Sequence, residues 1–548
     1  MRARQLVTGL AGAAAMIALV NVASRVVGFA RWLAMAHEVG PNSFGAAYTS
    51  ANTLPNVLFE VAAGGALASA VVPLLALPLA RSMRKDVDRT ASAMLGWALA
   101  VLVPLAVVVA VLARPLVGVF MPGATVAELG VAASFLAMFA VQIPLYGTGL
   151  VLTGVLQAHR RFLAAALAPL LNSLVVIAVF LLFGQMVPGA KDDPAVVPAA
   201  AVALLGWGTT AGVAVMSLPL LWPVHRIGVR LRPTLHFPDG VAVRARNLAL
   251  AGIGALVAQQ ATVLATLALA NKYGQGGTWP VFQYTQAVYF LPYAVLAFPL
   301  ATATLPRLAE YAVRQDEGGF AVLTAATTRT VLAVSALGAA VLVAVAPPVE
   351  QVFVHVADGD VTGMASALTF MAPGLLGFAL ILHLSRALYA LHRGRVAVTA
   401  TAIGWLVVAG TSWLLVLALT GGHRDQVATL RGLGIAVTLG MTVAGAGLLV
   451  GTVRSAGRGA VAGLARTTAV LAAGGASGAL AGRACSNAVG SDDIASALLA
   501  GVLGAVVCAL VVVVVVWLLD RSIVRALAEP RQSADASERR EPDATTVG

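Results

Sequence analysis

Charge is what this sequence has least of. Only 11% of its 548 residues are Asp, Glu, Lys or Arg, against roughly 25% in a soluble domain. Hydrophobic residues make up 59% and the mean hydropathy is +0.91. A chain this apolar stays dispersed only in a bilayer. No stretch between its apolar runs is long enough to bury a core of its own, so no soluble domain is expected. Cysteine is nearly absent: Cys485 and Cys508 form neither a ligand spacing nor a disulfide framework and read as small packing residues. There is no P-loop, no HExxH and no GxSxG. The glycines Gly445, Gly447 and Gly451 fall inside an apolar run, where small residues let membrane helices approach closely. Without a nucleotide site the chain is not an ATP-driven pump on its own, and neither a cofactor nor a metal is expected. A transporter or channel remains, with a membrane scaffold as the alternative.

What is present is a series of apolar runs, most longer than the roughly 18 residues that license a helical span. They lie near 10–36, 44–80, 91–112, 125–150, 163–183, 196–221, 244–270, 279–304, 322–346, 361–390, 396–419, 430–452, 464–482 and 495–519. The expected fold is therefore an all-α polytopic membrane protein of about fourteen transmembrane helices. The net charge of +12 invites a nucleic-acid partner, but the distribution of the 35 Lys and Arg residues argues otherwise. Alternate loops, at 81–90, 159–162, 222–246, 305–329, 391–396 and 453–466, hold 19 of them, and the other loops hold 6. The N-terminus holds 2 and the C-terminal tail 5. This is the positive-inside pattern. It places the basic loops and both termini in the cytoplasm, requires an even number of spans, and removes nucleic acid as a partner. Met1 to Ser24 has the basic start and apolar middle of a signal peptide, but it runs on into a long apolar segment and is read as an uncleaved first helix.

A charge at the centre of a span costs roughly 2.5–3.5 kcal/mol, so embedded charges carry information. Sorting leaves Arg25, Arg31 and Arg386, one acid, Glu60, and one histidine, His383. Arg25 and Arg31 stand six residues apart, which on a regular helix is about 120° of rotation, and Gly28 between them permits a bend. The guanidinium stays charged and presents a planar fork of donors that matches phosphate oxygens. Two such forks in one cavity suit a pyrophosphate. The alternative is that each arginine snorkels or pairs with Glu60. His383 and Arg386 share one helical face, and Tyr389 continues it. Glu60 and His383 are the embedded residues whose charge can change near neutral pH, which makes them the candidates for coupling or charge balance.

The second span reads Leu54-Pro55-Asn56, then Gly64-Gly65-Ala66 and Val72-Pro73. Proline frees carbonyls that neighbours or cavity water must satisfy, and a broken, glycine-containing helix beside embedded arginines is a common transporter site. The eighth span repeats the punctuation, with Leu291-Pro292 at its entry and Phe298-Pro299 and Leu305-Pro306 after it. Gly28, Pro55 and Pro292 are thus the expected hinges. Spans 1–6 and 7–12 read as two repeats. The expected organisation is an N-lobe at 1–221, a cytoplasmic linker at 222–243, a C-lobe at 244–452, two further helices within 453–520, and a disordered cytoplasmic tail at 521–548.

Ser24-Arg25-Val26-Val27-Gly28-Phe29-Ala30-Arg31 closely resembles the first-span motif of the MurJ/MviN family, the lipid II flippases of the MOP exporter superfamily. Leu54-Pro55-Asn56 with Gly65-Ala66 and Val72-Pro73 resembles its second span. Tyr284-Thr285-Gln286-Ala287-Val288-Tyr289-Phe290-Leu291-Pro292 looks like its Tyr-Ala-Asp-Arg-Leu-Tyr-Gln-Leu-Pro stretch, and Arg386-Ala387-Leu388-Tyr389-Ala390 resembles its tenth-span Arg-x-x-Tyr-Ala. The likeness runs in order over roughly residues 10–450. It implies a flippase of the bacterial plasma membrane with two lobes around a cationic cavity. Such a protein carries lipid II, or a related polyprenyl-pyrophosphate lipid, from the inner to the outer leaflet by alternating access. Membrane lipids and proteins of cell-wall synthesis are the other expected partners. On this likeness Arg25, Arg31, Asn56 and Arg386 bind substrate.

The departures are specific. The family usually carries arginine after Leu-Pro-Asn, where this chain has Phe59 and Glu60. Its Asp-Arg pair is Gln286-Ala287 here, and the acid that follows its second first-span arginine is Trp32. Acid and amide residues associated with a sodium site in some members have no clear match in spans 7 and 11. Two further functions therefore stay open: export of another polyprenyl-pyrophosphate glycan, or a non-transporting scaffold of the cell-wall machinery.

Overall fold

The computed structural model describes residues 2–189, 192–251, 253–490 and 492–521. The expected tail, apart from Arg521, and Lys191 lie outside the described residues. Among those described, regular structure is entirely helical. Ten helices are long and apolar enough to cross a membrane, and the count reaches twelve if each of two bent helix pairs is one span. The sequence had suggested about fourteen. The difference falls at 44–80 and 464–482. The first is broken into Ser43–Phe59, a π-helical turn at Glu60–Gly64, and Gly65–Ala80. The second lies in Leu464–Val489, a long helix diluted by Gly, Ser and Thr and by Arg466 and Arg483.

Proline placement accounts for the breaks. Pro55, lacking an N–H and crowding the preceding turn, sits one turn ahead of the π turn Glu60–Gly64. Pro292 closes the helix Thr278–Pro292 and leads directly into a second π turn, Tyr293–Ala297. The two stretches that resemble one another in sequence are thus the two that carry π turns among the described residues.

The chain divides into two compact units. The first comprises Met1–Phe290, Glu350–Met371 and Val398–Gly440; the second comprises Leu291–Val349, Ala372–Ala397 and Met441–Gly548. In the first, the helix Arg2–Glu38 packs on Phe162–Met186, and Ser43–Phe59 packs on Val126–Ala140. An aromatic nest fills the join: Phe44 stacks on Phe183 at 5.4 Å and meets Phe135 edge-on at 5.6 Å. The segment expected to be a linker is pinned along a helix rather than loose. Trp97 Nε1 donates to the Leu235 carbonyl at 2.9 Å, and the Arg232 amide donates to Ser92 Oγ at 2.9 Å.

In the second unit the last two helices, Leu464–Val489 and Ile494–Leu519, pack closely against each other. Their approach depends on glycine: a Cβ at Gly482 would stand 2.5 Å from the Gly504 carbonyl oxygen. Both cysteines are free, and Cys508 is buried in this helix pair. Gly445 lies against Gly377, where a Cβ would come within 3.1 Å of the Gly377 Cα, as expected for a packing glycine.

Candidate substrate site

The first helix runs unbroken from Arg2 to Glu38, straight through Gly28. Arg25 is exposed and Arg31 half-buried; six residues of rise separate them by about 9 Å along the axis. The two side chains have different surroundings. Arg31 stands 5.3 Å from the Trp32 ring and within electrostatic reach of the Tyr48 and Tyr146 hydroxyls. Its Nε is fully enclosed and has no hydrogen-bond partner among the described residues. Glu60 sits half-buried on the π turn and makes no ion pair with Arg25 or Arg31.

A network of polar side chains extends from the two tyrosines that face Arg31. Asn56 Nδ2 donates to the Asn52 carbonyl at 2.8 Å, and the Asn56 side chain is hydrogen-bonded to Tyr146. The Tyr146 hydroxyl also donates to Gln142 Oε1 at 3.3 Å, and Gln142 Nε2 donates to Thr210 Oγ1 at 3.2 Å. The Tyr48 hydroxyl pairs with Thr209 Oγ1 at 2.9 Å. Thr53 Oγ1 accepts from Trp279 Nε1 and from Gln283 Nε2, each at 3.3 Å. Two more enclosed atoms lack partners: Asn52 Oδ1 and the Tyr284 hydroxyl. The Tyr284 ring lies against Trp32 and stacks on Phe353. Burying a polar atom without a partner costs about 1–3 kcal/mol. The Arg31 Nε is such an atom, and an enclosed charged donor with no acceptor marks a place prepared for a polar guest.

The second unit holds the other expected residues. Arg386 Nη1 donates to Thr302 Oγ1 at 2.9 Å, and the guanidinium lies 5.7 Å from the Phe298 ring. His383 is fully buried, with Nε2 3.0 Å from Thr327 Oγ1. Tyr389, the third member of that stripe, is 52% exposed. The structure therefore groups Arg31 with Asn56 through Tyr146, and His383 with Arg386, while Arg25 stands apart from Arg31. Embedded charge in the sequence does not point to Asn52, Gln142 or Tyr146. Their signal was available, because amides and phenols inside apolar runs must also find partners. Among the described residues no group of His, Cys, Asp and Glu could hold a metal ion.

Comparison with known proteins gives this geometry its context. The family model described as "Lipid II flippase MurJ" matches residues 35–478. The lipid II flippase MurJ of Burkholderia cenocepacia is 28% identical over 73% of this chain and 76% of its own length. The probable lipid II flippase MurJ of Rhizobium tropici is 28% identical over 53% of each chain. A solved structure of lipid II flippase MurJ in an inward closed conformation superposes with a TM-score of 0.69 at 16% identity, covering 93% of this chain and 99% of that one. An inward-facing multidrug resistance MATE family transporter of the MOP superfamily gives 0.63 at 16% identity, covering 80% and 98%. The fold is thus that of MOP-type transporters, and over most of its length the sequence matches one branch of them: this chain belongs to the MurJ lipid II flippase family.

Proposed function

We propose that this protein moves lipid II, the polyprenyl-pyrophosphate-linked peptidoglycan precursor, from the cytoplasmic to the outer leaflet by alternating access. The lobes at 1–221 and 244–452 alternate between inward-open and outward-open states, and both termini face the cytoplasm. The observation that carries the site is Arg31, a membrane-embedded guanidinium whose Nε is enclosed and has no acceptor. A pyrophosphate supplies the acceptors it lacks, and the fork geometry makes the contact bidentate. Arg25, exposed on the same helix, meets the charge as it enters, and Asn56 and Tyr146 form a neutral polar pair in the same unit, with the Tyr146 hydroxyl in electrostatic reach of Arg31. No nucleotide motif is present, so the work comes from an ion gradient, the membrane potential or downstream consumption of the product.

A second substrate remains open on a specific observation. Where family members carry further charges this chain has Trp32, Phe59, Glu60, Gln286 and Ala287. A less cationic site suits another polyprenyl-pyrophosphate glycan. Complementation of a MurJ-depleted bacterium decides between them: rescue fixes lipid II as the substrate, and failure by a protein that reaches the membrane in normal amount removes it. Topology has its own test. Reporter fusions after Arg232 and after Asp193 should lie on opposite sides of the membrane, with Arg232 in the cytoplasm; the same side for both would refute the arrangement.

A further inference from the structure

His383 lies in a polar layer between two apolar ones. On its own helix, Gly374–Ala390, it falls one turn after Ala379 and one turn before Ala387. Ala379 clusters with Val331 and Ala297, and Ala387 clusters with Phe320 and Leu308. Between those clusters the helix Glu317–Val356 presents Thr324, Thr327 and Thr328, of which Thr324 and Thr328 are at most 1% exposed. Three enclosed atoms here have no partner: Thr324 Oγ1, Thr328 Oγ1 and His383 Nδ1.

Hydrogen-bond accounting assigns the histidine proton. The single proton of the Thr327 hydroxyl goes to the Leu323 carbonyl at 2.8 Å. Its lone pair therefore faces His383 Nε2 at 3.0 Å, and Nε2 is the donor. The other tautomer would bury an N–H with no acceptor, which is rarer than an unmet lone pair. Nδ1 is consequently a bare proton acceptor, enclosed in the same layer as the idle hydroxyls of Thr324 and Thr328. Of the charged groups on the packed helices, Arg386 is the one within electrostatic reach. Arg329 is turned to the Ala325 carbonyl and toward Gly463, and Glu310 is exposed and paired with Arg314. Tyr311 packs in the Leu308 cluster, and Tyr389 is exposed. Arg386 makes no ion pair among the described residues.

We propose that His383 and Arg386 form a linked site that takes up a proton together with an oxyanion such as a phosphate group. A solvent proton adds to Nδ1 and no bond breaks. The resulting imidazolium and Arg386 are two neighbouring cations with no carboxylate to share, so an anion at Arg386 stabilises the proton and the proton tightens the anion. The coupling is reciprocal by thermodynamic necessity. It rests on the flippase reading only for the identity of the anion in the cell, where the substrate's pyrophosphate has the matching chemistry.

Sulfate is a suitable probe, because it mimics phosphate and does not titrate near neutral pH. The protonation of His383 is followed by 15N-histidine NMR on the full chain in nanodiscs, with the signal identified by its loss in His383→Asn. At a fixed pH of about 6, sulfate should increase the protonated fraction of His383. The increase should persist in Arg31→Ala and vanish in Arg386→Gln. If His383 stays unprotonated with and without sulfate, as a merely water-filled layer would, or if Arg386→Gln keeps the response, the proposal is overturned. The wild-type titration alone decides the matter should Arg386→Gln not fold. Complementation reads the flippase assignment separately, so failure of one is distinguishable from failure of the other.

Discussion

Arg31 and Arg386 are both guanidiniums inside apolar helices, and their surroundings differ. Arg386 is braced: its Nη1 has Thr302 as acceptor and its plane lies near Phe298. Arg31 has Trp32 and two phenols nearby, but its Nε is closed off from solvent and has no acceptor. Neither makes an ion pair among the described residues. A hydrogen bond to a charged group contributes about 1.5–3 kcal/mol, so an enclosed donor without an acceptor lacks a stabilisation of that size. The comparison teaches that embedded charge alone does not identify a binding residue. What singles out Arg31 is the unmet donor, and what Arg386 offers is a charge already held in place.

The largest effect that sharpens this contrast is expected from Arg31. Arg31→Ala should abolish lipid II transport at near-normal protein levels, and Arg31→Lys should restore little, because lysine lacks the bidentate fork. Wild-type transport by an Arg25→Ala/Arg31→Ala double variant would end the assignment. Arg386→Ala should cost less, somewhat over tenfold in transport, in line with one charged hydrogen bond of roughly 1.5 kcal/mol. Equal losses at both positions would erase the distinction drawn here.

Glu60→Gln probes the space between the two cases, since it keeps shape and removes titration. If Glu60 exchanges a proton during transport, the variant should turn over in proteoliposomes but ignore an imposed pH gradient that drives the wild type. Indifference of the wild type to that gradient excludes proton coupling through Glu60 and His383 alike. The smallest effect belongs to Thr302→Val, which removes the brace and leaves the guanidinium. Thermal unfolding should register about 1 kcal/mol of lost stability, with transport within about twofold of wild type.

Much of the fold was legible because the bilayer writes large signals. Long apolar runs and the alternation of basic loops gave most helices within a few residues. The Leu54-Pro55 and Leu291-Pro292 punctuation marked the positions where the helical ladder changes to a π turn. The run expected at 464–482 is the helix Leu464–Val489, whose glycines weaken the apolar signal and serve close packing. The clasp of 230–235 along the Arg84–Val111 helix was invisible, because that segment takes part through its backbone groups, which any sequence carries. In the candidate site, Arg31 was readable from its cost in the membrane. Asn52, Gln142 and Tyr146 gave a weaker signal: an amide or phenol inside an apolar run needs a partner, but which one, as in Gln142 with Thr210 or Tyr146 with Asn56, is set by helices distant in sequence.

The π turns at Glu60–Gly64 and Tyr293–Ala297 carry a mechanical consequence. Each stores one residue more than an α ladder would hold over the same length. If that surplus migrates along its helix, every residue it passes advances by about 1.5 Å and swings by about 100°. A span can thus turn a different face to its neighbours while staying fully hydrogen-bonded, and the backbone exposes no bare amide to lipid. Such migration would give the second and eighth spans an axial screw motion, in which a small slide becomes a large reorientation of side chains.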